Sequence, residues 1–319
     1  MISVIAGGVG AARYLRGLQQ VTDPEDVTAI VNTGDDTVMH GLSISPDIDT
    51  VTYTLADAID PERGWGLRAE TWRAMESLER FQDVRPGGSA AGGRWFNLGD
   101  TDLATHFYRT ARLAEGAGLA TVTDEIRRAF GVHVRIVPMS EDTVSTHVVL
   151  RDGGTVPFQE YFVKLRHDVP VAGVEFRGIE SARFIDPSLL VDAERVVIAP
   201  SNPVVSIGPV RALPGVDDVL ASRRDDVVAV SPIVAGAALK GPADRMLAEL
   251  GMEPTVVGVA RLYAPVCGTL VIDDQDAGLR DQVERCGIRC IVTDTIMSKP
   301  GVAASLARAT LGTERNGRN

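Results

Sequence analysis

An acidic segment after an apolar strand pattern carries the densest cluster of chemically useful side chains. Residues 32–50, NTGDDTVMHGLSISPDIDT, contain Asp35, Asp36, Asp47 and Asp49. Like charges at this density repel each other unless a cation or ordered hydrogen bonds compensate, and Mg²⁺ prefers oxygen ligands beside substrate phosphates. The segment therefore predicts that at least one of these acids contacts a metal ion or a substrate. The alternative is that they cap turns and helices, which suits Asp36 and Asp49.

A glycine-rich segment lies where the first strand pattern meets a helix pattern. It reads AGGVGAARYLRGL and includes Gly7, Gly8 and Gly10. Glycines let a backbone approach a phosphate closely, and the N–H groups at a helix N-terminus favour negative charge. The spacing is neither G-x-G-x-x-G nor that of a Walker loop. The segment predicts a nucleotide phosphate site, with a merely tight strand-to-helix turn as the alternative.

Two later strand patterns are also followed by loops of small polar residues. Ser201 and Asn202, in APSNPVVSIGP, either hydrogen-bond a base or phosphate or cap a turn. Lys240, in AVSPIVAGAALKGP, is one of three lysines against 29 arginines, and it is either a phosphate partner or a solvated side chain. In open α/β sheets ligands bind at the carboxyl ends of the strands. These loops together predict a crevice for a nucleotide and a metal ion.

One histidine lies in a helical pattern near the middle of the chain. The segment WFNLGDTDLATHFYR, residues 95–109, predicts a helix with Asp100 or Thr101 as its N-cap. His106 falls inside that helix, and no Ser-His-Asp pattern accompanies it. We interpret it as a structural histidine.

Alternating strand and helix patterns predict the elements that position these loops. Strand patterns occupy residues 1–8 and 27–33, and they return in the second half as the short runs VVIAP, DVVAV, TLVID and RCIVTD. Parallel strands need crossover connections, and the crossovers are usually helices. We therefore expect an α/β fold with a Rossmann-like, three-layer core around a parallel sheet.

The middle of the chain has a different pattern. Helical patterns near 66–81, 101–115 and 121–130 precede a predicted β-hairpin within residues 144–177, with Asp152-Gly153-Gly154 at its turn. A third strand pattern follows the hairpin.

These patterns predict two parts of the chain. Residues 1–60 and 191–319 would form the nucleotide-binding core, and residues 61–190 would be inserted as a smaller helical and α+β lobe for the substrate. Within that insertion RPGGSAAGGR, residues 85–94, predicts a flexible surface loop, and the tail TERNGRN predicts a frayed end.

Composition narrows the class of protein. The chain has 319 residues, of which 45% are hydrophobic and 24% charged, and its formal net charge is -11. This charge disfavours nucleic acid as a partner, because phosphate backbones are held by clustered Lys and Arg. The sequence has no long apolar run and no leader pattern, so we expect no membrane partner and a cytoplasmic location. The three cysteines form no C-x-x-C pair and are expected to be buried thiols.

A series of longer blocks in a fixed order makes the chain similar to one family. The blocks are AGGVGAARYLRGL, AIVNTGDDTVMHGLSISPDIDTVTYTLA, LGDTDLATH, IVPMSEDTVSTHVV, FQEYFV, APSNPVVSIGP and VSPIVAGAALKGPADRML. Over nearly its whole length the chain resembles the 2-phospho-L-lactate transferases of coenzyme F-420 biosynthesis, the CofD/FbiA type. The resemblance implies a donor that is a guanosine diphosphate ester of phosphoenolpyruvate or phospholactate, and the deazaflavin Fo as acceptor. The terminal ribityl hydroxyl of Fo would attack the phosphorus distal to guanosine, GMP would leave, and Mg²⁺ would neutralise the diphosphate.

The resemblance also implies roles for residues of this sequence. Asp49 matches a catalytic residue at the Fo hydroxyl and the metal ion, and Asp35 and Asp47 would be further metal ligands. Asn97 matches an Fo contact at a place where some relatives carry lysine. The residues implied to line the nucleotide site are Gly7, Gly8, Gly10, Ser201 and Asn202. The family likeness further implies a homodimer.

Two other functions compete with the transferase. Related glycine-rich proteins bind nucleotide-sugars and regulate carbon metabolism or cell shape without known catalysis, but they tend to carry PPGDIRN where this chain has SPDIDT. A Rossmann dehydrogenase would need a G-x-G-x-x-G segment and an acidic residue at the expected distance. The bias toward arginine over lysine suggests a GC-rich, actinobacterial genome, where the enolpyruvyl donor is expected rather than the lactyl donor.

Overall fold

The computed structural model describes residues 1–87, 89, 91 and 95–312. Its strands, numbered along the chain, are β1 (Ile2–Ala6), β2 (Val27–Val31), β3 (Thr37–Met39), β4 (Leu42–Ile44), β5 (Arg135–Pro138), β6 (Ser145–Leu150), β7 (Thr155–Pro157), β8 (Val171–Arg177), β9 (Arg195–Ile198), β10 (Val227–Val230), β11 (Ile233–Val234), β12 (Ala237–Ala238), β13 (Thr269–Ile272) and β14 (Arg289–Val292).

The α-helices are numbered in the same way. They are α1 (Val9–Leu18), α2 (Pro46–Leu55), α3 (Arg73–Leu78), α4 (Asp102–Ala114), α5 (Leu119–Ala129), α6 (Ser188–Val191), α7 (Gly208–Ala212), α8 (Val216–Ser222), α9 (Ala243–Glu249), α10 (Val256–Tyr263), α11 (Arg280–Glu284) and α12 (Val302–Leu311). One π-helical turn, Glu160–Lys164, lies between β7 and β8.

A seven-stranded parallel sheet forms the centre of the fold, with the strand order β14-β13-β10-β9-β1-β2-β5. β1 and β2 are buried along their whole length, which is why their sequences are continuous apolar runs. Successive side chains of β1 face opposite layers, because Val4 and Ile5 belong to separate apolar clusters on the two faces of the sheet. The predicted α/β class and three-layer core are confirmed.

Helices cover both faces of this sheet. On one face α1 packs against α2 and α12, and the buried hydroxyls of Tyr14 and Thr310 lie 2.6 Å apart at that contact. On the other face the apolar side of α10 packs into the larger cluster through side chains such as Val256 and Ala260. The chain order of the core strands across the sheet is third, second, first, fourth, fifth, sixth and seventh. The connections therefore reverse direction between β1 and β9, which is the Rossmann-like arrangement.

The smaller lobe contains the predicted hairpin. β6 pairs antiparallel with β7 and with β8, and the turn between β6 and β7 includes Gly153 at φ +92°. The Asp152 carboxylate accepts a hydrogen bond from the Gly154 N–H at 3.0 Å, which is the side-chain turn bond that aspartate commonly makes. Of the helical pattern near 66–81, only Arg73–Leu78 is α-helical.

One strand of the predicted insertion belongs to the central sheet. β5 lies within residues 61–190, yet it pairs in parallel with β2 from Thr28 opposite Arg135 to Val31 opposite Pro138. It was missed because the run RIVP is short and carries a charge and a proline, so it lacks a clear strand pattern. The insertion is therefore not continuous in space, because the chain returns to the core between α5 and β6.

Two sequence predictions lie partly or wholly outside the described residues. The predicted loop at 85–94 is described only in part, and the tail after Gly312 is not described. In the described ranges no helix combines the length and the apolar character that crossing a membrane requires.

Candidate functional site

A cavity of about 640 Å³ opens at the carboxyl ends of the central strands. Its floor is made by the loops after β1, β2, β9, β10 and β14, and helices α2 and α4 close one side of it. The loops after β1 and β9 diverge at the switch point of the sheet, where open α/β folds bind their ligands. The volume is in the range of small-molecule sites, so the cavity can hold a nucleotide-sized ligand.

The glycines of the first loop pack closely against the other loops. A Cβ at Gly10 would lie 1.9 Å from the Pro200 carbonyl oxygen, and a Cβ at Gly7 would lie 2.4 Å from the Ser206 Cβ. These two glycines thus let the loops after β1 and β9 meet, which is the tight-turn alternative. Gly7 does not line the cavity, whereas Gly8 and Gly10 do.

Gly8 separates the glycine loop from the acidic segment. It is the N-cap of α1, and a Cβ there would lie 2.6 Å from Oδ1 of Asp47. The absence of a side chain therefore places the start of α1 beside a carboxylate that lines the cavity. The arrangement suits a diphosphate between the helix N-terminus and a cation held by the acid.

Ser201 and Asn202 both line the cavity but differ in how their polar atoms are used. The Asn202 Oδ1 accepts a hydrogen bond from the Val204 N–H at 2.9 Å, and its amide lies 3.7 Å from the Met246 sulfur. Asn202 therefore shapes its own loop, in agreement with the capping alternative. The Ser201 hydroxyl is buried and has no hydrogen-bond partner among the described residues, so it is available to a ligand.

Asp35, which is buried, and Asp47, which is half-buried, both lie at the cavity wall. Burial raises the pKa of Asp47 to about 6. Burial, with Asp47 and Asp36 nearby, raises the pKa of Asp35 well above its usual range. The amide of Asn32 donates to the Asp47 Oδ2 at 3.0 Å, while the Asp35 Oδ1 has no partner in the described part of the chain. Such a pair is costly without a cation, because two charges share a site of low polarity.

Asp36 lies behind this pair and does not line the cavity. Its Oδ2 accepts a hydrogen bond from the Ser45 hydroxyl at 2.6 Å. Burial raises the pKa of Asp36 well above its usual range, although the Ser45 hydroxyl acts in the opposite direction. Its observed contact is structural, because it connects the loop after β2 to the start of α2.

Asp49 is held by an arginine that sequence reasoning did not single out. The Arg109 guanidinium donates from both terminal nitrogens to the two Asp49 oxygens, and Nη1 lies 3.1 Å from Oδ2. Arg109 is fully buried. Burial acts against its positive charge, but Asp49 outweighs burial and raises the pKa of Arg109. The pair holds the Asp49 carboxylate at the cavity wall through two charge-assisted hydrogen bonds.

His106 and Asp102 extend this network along one face of α4. The His106 Nδ1 lies 3.8 Å from the Asp49 Oδ2, and its Nε2 lies 3.2 Å from the Asp102 Oδ2. The Tyr53 hydroxyl donates to the Asp102 Oδ1 at 2.6 Å. Burial acts to raise the pKa of Asp102, but His106 and Tyr53 hold it below its usual range.

The spacing along α4 was the signal that could have revealed this network. Asp102, His106 and Arg109 recur at positions i, i+4 and i+7, which places them on one helix face. All three are buried. A buried face that carries charges instead of apolar residues indicates a polar partner, which here is Asp49. The histidine is part of the cavity wall rather than an isolated structural residue.

Two acidic side chains cap α3 and α4, each from the segment that precedes the other helix. Asp100 or Thr101 was predicted as the N-cap of α4, and Thr101 occupies that position. Asp100 is not the cap, because its carboxylate accepts hydrogen bonds from the Arg73 and Ala74 N–H groups at the start of α3. The first N–H groups of α4 donate instead to Glu70, at 2.8 Å from both Thr101 and Asp102. Such caps satisfy donors that a helix leaves free at its N-terminus.

Three more polar side chains face the cavity. Asn97 is exposed and lines the opening near the smaller lobe. Arg13 projects from the second turn of α1, and Lys240 lies in the loop after β12. The structure therefore brings most of the predicted site residues to one cavity, namely Asp35, Asp47, Asp49, Gly8, Gly10, Ser201, Asn202 and Asn97, whereas Asp36 and Gly7 do not line it.

The carboxylates of this cavity suit a cation that is also bound by substrate phosphates better than a metal ion held by protein ligands alone. In the described residues no three His, Cys, Asp or Glu side chains form a group that could hold a metal ion. Asp35 and Asp47 offer hard oxygen donors, one of them without a partner. Magnesium is commonly held by one or two carboxylates plus substrate phosphates, so this pair fits the ion when a diphosphate is bound.

Relatives of the chain have transferase names. The family described as 2-phospho-L-lactate transferase CofD matches residues 2–305. A Streptomyces griseus protein named phosphoenolpyruvate transferase is 42% identical over 316 residues, and 97% of each chain is covered. Proteins with the same name from Streptomyces avermitilis and from a Mycobacterium species are 40% and 38% identical, again with 97% of each chain covered.

Solved structures show the same fold at lower identity. A Bacillus halodurans protein described as a member of the UPF0052 family matches with a TM-score of 0.61 and 14% identity, covering 97% of this chain and 98% of that one. A second crystal structure of a protein from that organism gives a TM-score of 0.62 at 15% identity and the same coverage. At this identity the likeness shows the fold alone.

Proposed function

The chain belongs to the 2-phospho-L-lactate transferase CofD family and is a transferase, and from that premise we propose that it forms a coenzyme F-420 precursor. The donor is a guanosine diphosphate ester of phosphoenolpyruvate, and the acceptor is the terminal ribityl hydroxyl of the deazaflavin Fo. The names of relatives at 38–42% identity support the enolpyruvyl group over the lactyl group. The bond from the ribityl oxygen to the distal phosphorus forms as the bond from that phosphorus to the oxygen of GMP breaks, and the ribityl hydroxyl releases its proton to solvent.

The observation that carries this proposal is the position of Asp47 beside the glycine loop, with Asp35 near it. Asp47 lies against Gly8 at the start of α1, within a cavity at the switch point of the sheet. A diphosphate placed there meets the helix N-terminus on one side and the two acids on the other. Ser201, whose buried hydroxyl has no partner in the described residues, would donate to the same group.

Magnesium is the proposed cofactor, and Asp35 and Asp47 are the residues that would hold it. When bound, the ion would neutralise the diphosphate and the charge that develops on it. Asp49 was a third candidate ligand. Because both of its oxygens already accept hydrogen bonds from Arg109, we propose a different role for it.

In the proposed mechanism Asp49 orients the acceptor. Its carboxylate lies in the cavity wall, and its orientation is held by the buried Arg109, which donates hydrogen bonds to both of its oxygens. It would accept a hydrogen bond from the ribityl hydroxyl and align that oxygen with the distal phosphorus. Positioning of this kind supplies much of the rate in phosphoryl-type transfer, and it needs no nucleophile on the protein.

The test is incubation of the purified protein with Fo, Mg²⁺ and each donor ester in turn, followed by mass spectrometry of the products. We expect the enolpyruvyl adduct of Fo with the first donor and less product with the lactyl donor. Nucleotide binding without an Fo adduct from either donor would favour the alternative, a nucleotide-sugar-binding regulator. The homodimer and the cytoplasmic location stay predictions.

Asn97→Ala is expected to raise the apparent Michaelis constant for Fo roughly two- to twelvefold, because a neutral hydrogen bond contributes about 0.5–1.5 kcal/mol. Guanine-nucleotide affinity should stay unchanged, since Asn97 lines the cavity near the smaller lobe. Steady-state kinetics in Fo and calorimetry with GDP measure the two effects. Asn97→Lys should retain turnover, and a loss confined to nucleotide affinity in either variant would place this residue on the donor side.

A further inference from the structure

Two cations line the cavity without an acidic partner. Arg13 and Lys240 both face it, and neither has an ion pair with a carboxylate among the residues that the structure describes. The other two lysines are both paired, Lys164 with Glu160 at 2.5 Å and Lys299 with Asp294 at 2.7 Å. Unpaired positive charges that converge on a cavity indicate an anionic ligand.

Lys240 contacts the backbone of residues 63 and 64, which belong to the smaller lobe. Its ammonium group donates to the Arg63 carbonyl oxygen at 3.1 Å. A Cβ at the next residue, Gly64, would lie 2.5 Å from the Lys240 Nζ, so a side chain there would displace the ammonium group from this position. Gly64 also has φ +72°, a conformation that favours glycine.

Arg63 cannot turn its own charge toward the ligand, because its guanidinium is bound elsewhere. It lies 5.5 Å from the ring centre of Trp65 and 5.2 Å from that of Trp72, and it pairs with Asp60 at 2.9 Å. Arg63 therefore interacts with Lys240 through its backbone carbonyl oxygen and not through its side chain. One ammonium proton is used there, and the other two remain for a ligand.

Arg13 is close enough to affect the lysine. Lys240 is exposed at the edge of the cavity, and partial burial together with the nearby Arg13 lowers the pKa of its ammonium group. An anion between the two side chains would relieve their repulsion. On α1 Arg13 lies four residues after Val9, which is about 6 Å along the helix axis from the proposed diphosphate site. A group that contacts Arg13 is thus a few bonds away from the phosphorus near Gly8.

We propose that Arg13 and Lys240 bind the carboxylate of the three-carbon acid that the donor carries. The inference rests on the proposed function, and it assigns the recognition of the transferred group to these two residues. A carboxylate offers two acceptor oxygens, one for the Arg13 guanidinium and one for the Lys240 ammonium. This contact selects phosphate esters that carry a carboxylate over plain nucleotides.

Calorimetry with three ligands tests the proposal on the Lys240→Met and Arg13→Met variants, with Lys299→Met as the matched control. The ligands are the enolpyruvyl donor, GDP and the isopropyl ester of GDP, which has no carboxylate. Each cavity variant should bind the donor roughly tenfold to a hundredfold more weakly than wild type, as expected for a lost charge-assisted hydrogen bond. Affinity for the other two ligands should change less than about threefold, and the control should match wild type.

Two results would overturn the proposal. Unchanged donor affinity in both cavity variants excludes the contact, and equal losses for all three ligands show that the cations hold phosphate. The outcomes also separate this inference from the proposed function. If an Fo adduct forms while both variants bind the donor normally, only the inference fails. If no adduct forms from either donor, the proposed function fails whatever the calorimetry shows.

Lysine acetylation of the wild-type protein provides a test that needs no variant. Lys240 should be modified roughly tenfold more slowly with saturating donor than with saturating GDP, because only the donor would engage it. Lys164 and Lys299 serve as internal references, since both lie on the surface in ion pairs. Peptide mass mapping gives the three rates. Equal protection of Lys240 by GDP and donor contradicts a carboxylate contact.

Discussion

Asp49→Asn is expected to lower the free energy of unfolding by about 3–5 kcal/mol, because it leaves the Arg109 guanidinium buried without a counter-charge. Turnover should fall at least about tenfold, since the amide holds the acceptor hydroxyl less strongly than the carboxylate does. Chemical denaturation measures the first effect, and steady-state turnover at saturating substrates, at a temperature where the variant stays folded, measures the second.

Two further variants separate stability from catalysis. Asp57→Asn is the matched control, because Asp57 pairs with Arg16 at 3.0 Å on the surface and should cost less than about 1 kcal/mol. Combining Asp49→Asn with Arg109→Met removes the unpaired charge and should restore most of the lost stability. Turnover should stay low in that double variant. A double variant with wild-type turnover would show that Asp49 only balances the charge of Arg109.

Asp47→Asn is expected to abolish most activity while stabilising the metal-free protein. Turnover should fall at least about a hundredfold, because the cation that stabilises the developing charge loses a ligand. In excess chelator at pH 7 the free energy of unfolding should rise by on the order of 2–3 kcal/mol, since burial raises the pKa of Asp47 from 3.8 to about 6. Added Mg²⁺ should raise the melting temperature of the wild type but not of the variant.

The same shift predicts how stability depends on pH. Asp47 keeps its proton to higher pH in the folded protein than in the unfolded chain, so the folded state binds more protons between these two pKa values. Stability of the metal-free wild type should therefore fall as the pH rises from about 4 to about 6, and Asp47→Asn should remove this contribution.

Asp168→Asn serves as the control for this series, because Asp168 is largely exposed and its only ion pair among the described residues, with Arg245, is long at 4.0 Å. It should change neither the pH profile nor the response to Mg²⁺. A metal-free Asp47→Asn variant with wild-type stability across this pH range would contradict the raised pKa of Asp47.

The central sheet could be predicted because parallel strands buried on both faces leave a signal in sequence. VVI, VVAV and LVI are continuous apolar runs, and each lies within a strand of the core. β5 could not be predicted in the same way. It lies at the sheet edge and begins with an exposed Arg135, and what places it there is pairing with β2, a contact between residues that are far apart in sequence.

The site was predictable where strands end, and less so where helices meet. The positions of Asp35, Asp47, Gly8 and Ser201 in the cavity lining could be predicted because loops after parallel strands converge at one edge of a sheet. Arg109 was missed, although it contacts Asp49, because the two residues are 60 positions apart and sequence reasoning treated α4 as part of a separate lobe. The role of Gly10 was also only visible in three dimensions, since its neighbour is the Pro200 carbonyl oxygen.

The most direct test of the proposed transfer is the amount and identity of the small product released with each Fo adduct. Attack at the distal phosphorus predicts GMP and the enolpyruvyl phosphodiester of Fo in equal amounts, quantified by chromatography and mass spectrometry of one reaction. Attack at the phosphorus next to guanosine would instead give guanylyl-Fo and free phosphoenolpyruvate. The first pair of products is the result that this account predicts, and the second pair, or nucleotide turnover without any Fo adduct, would contradict it.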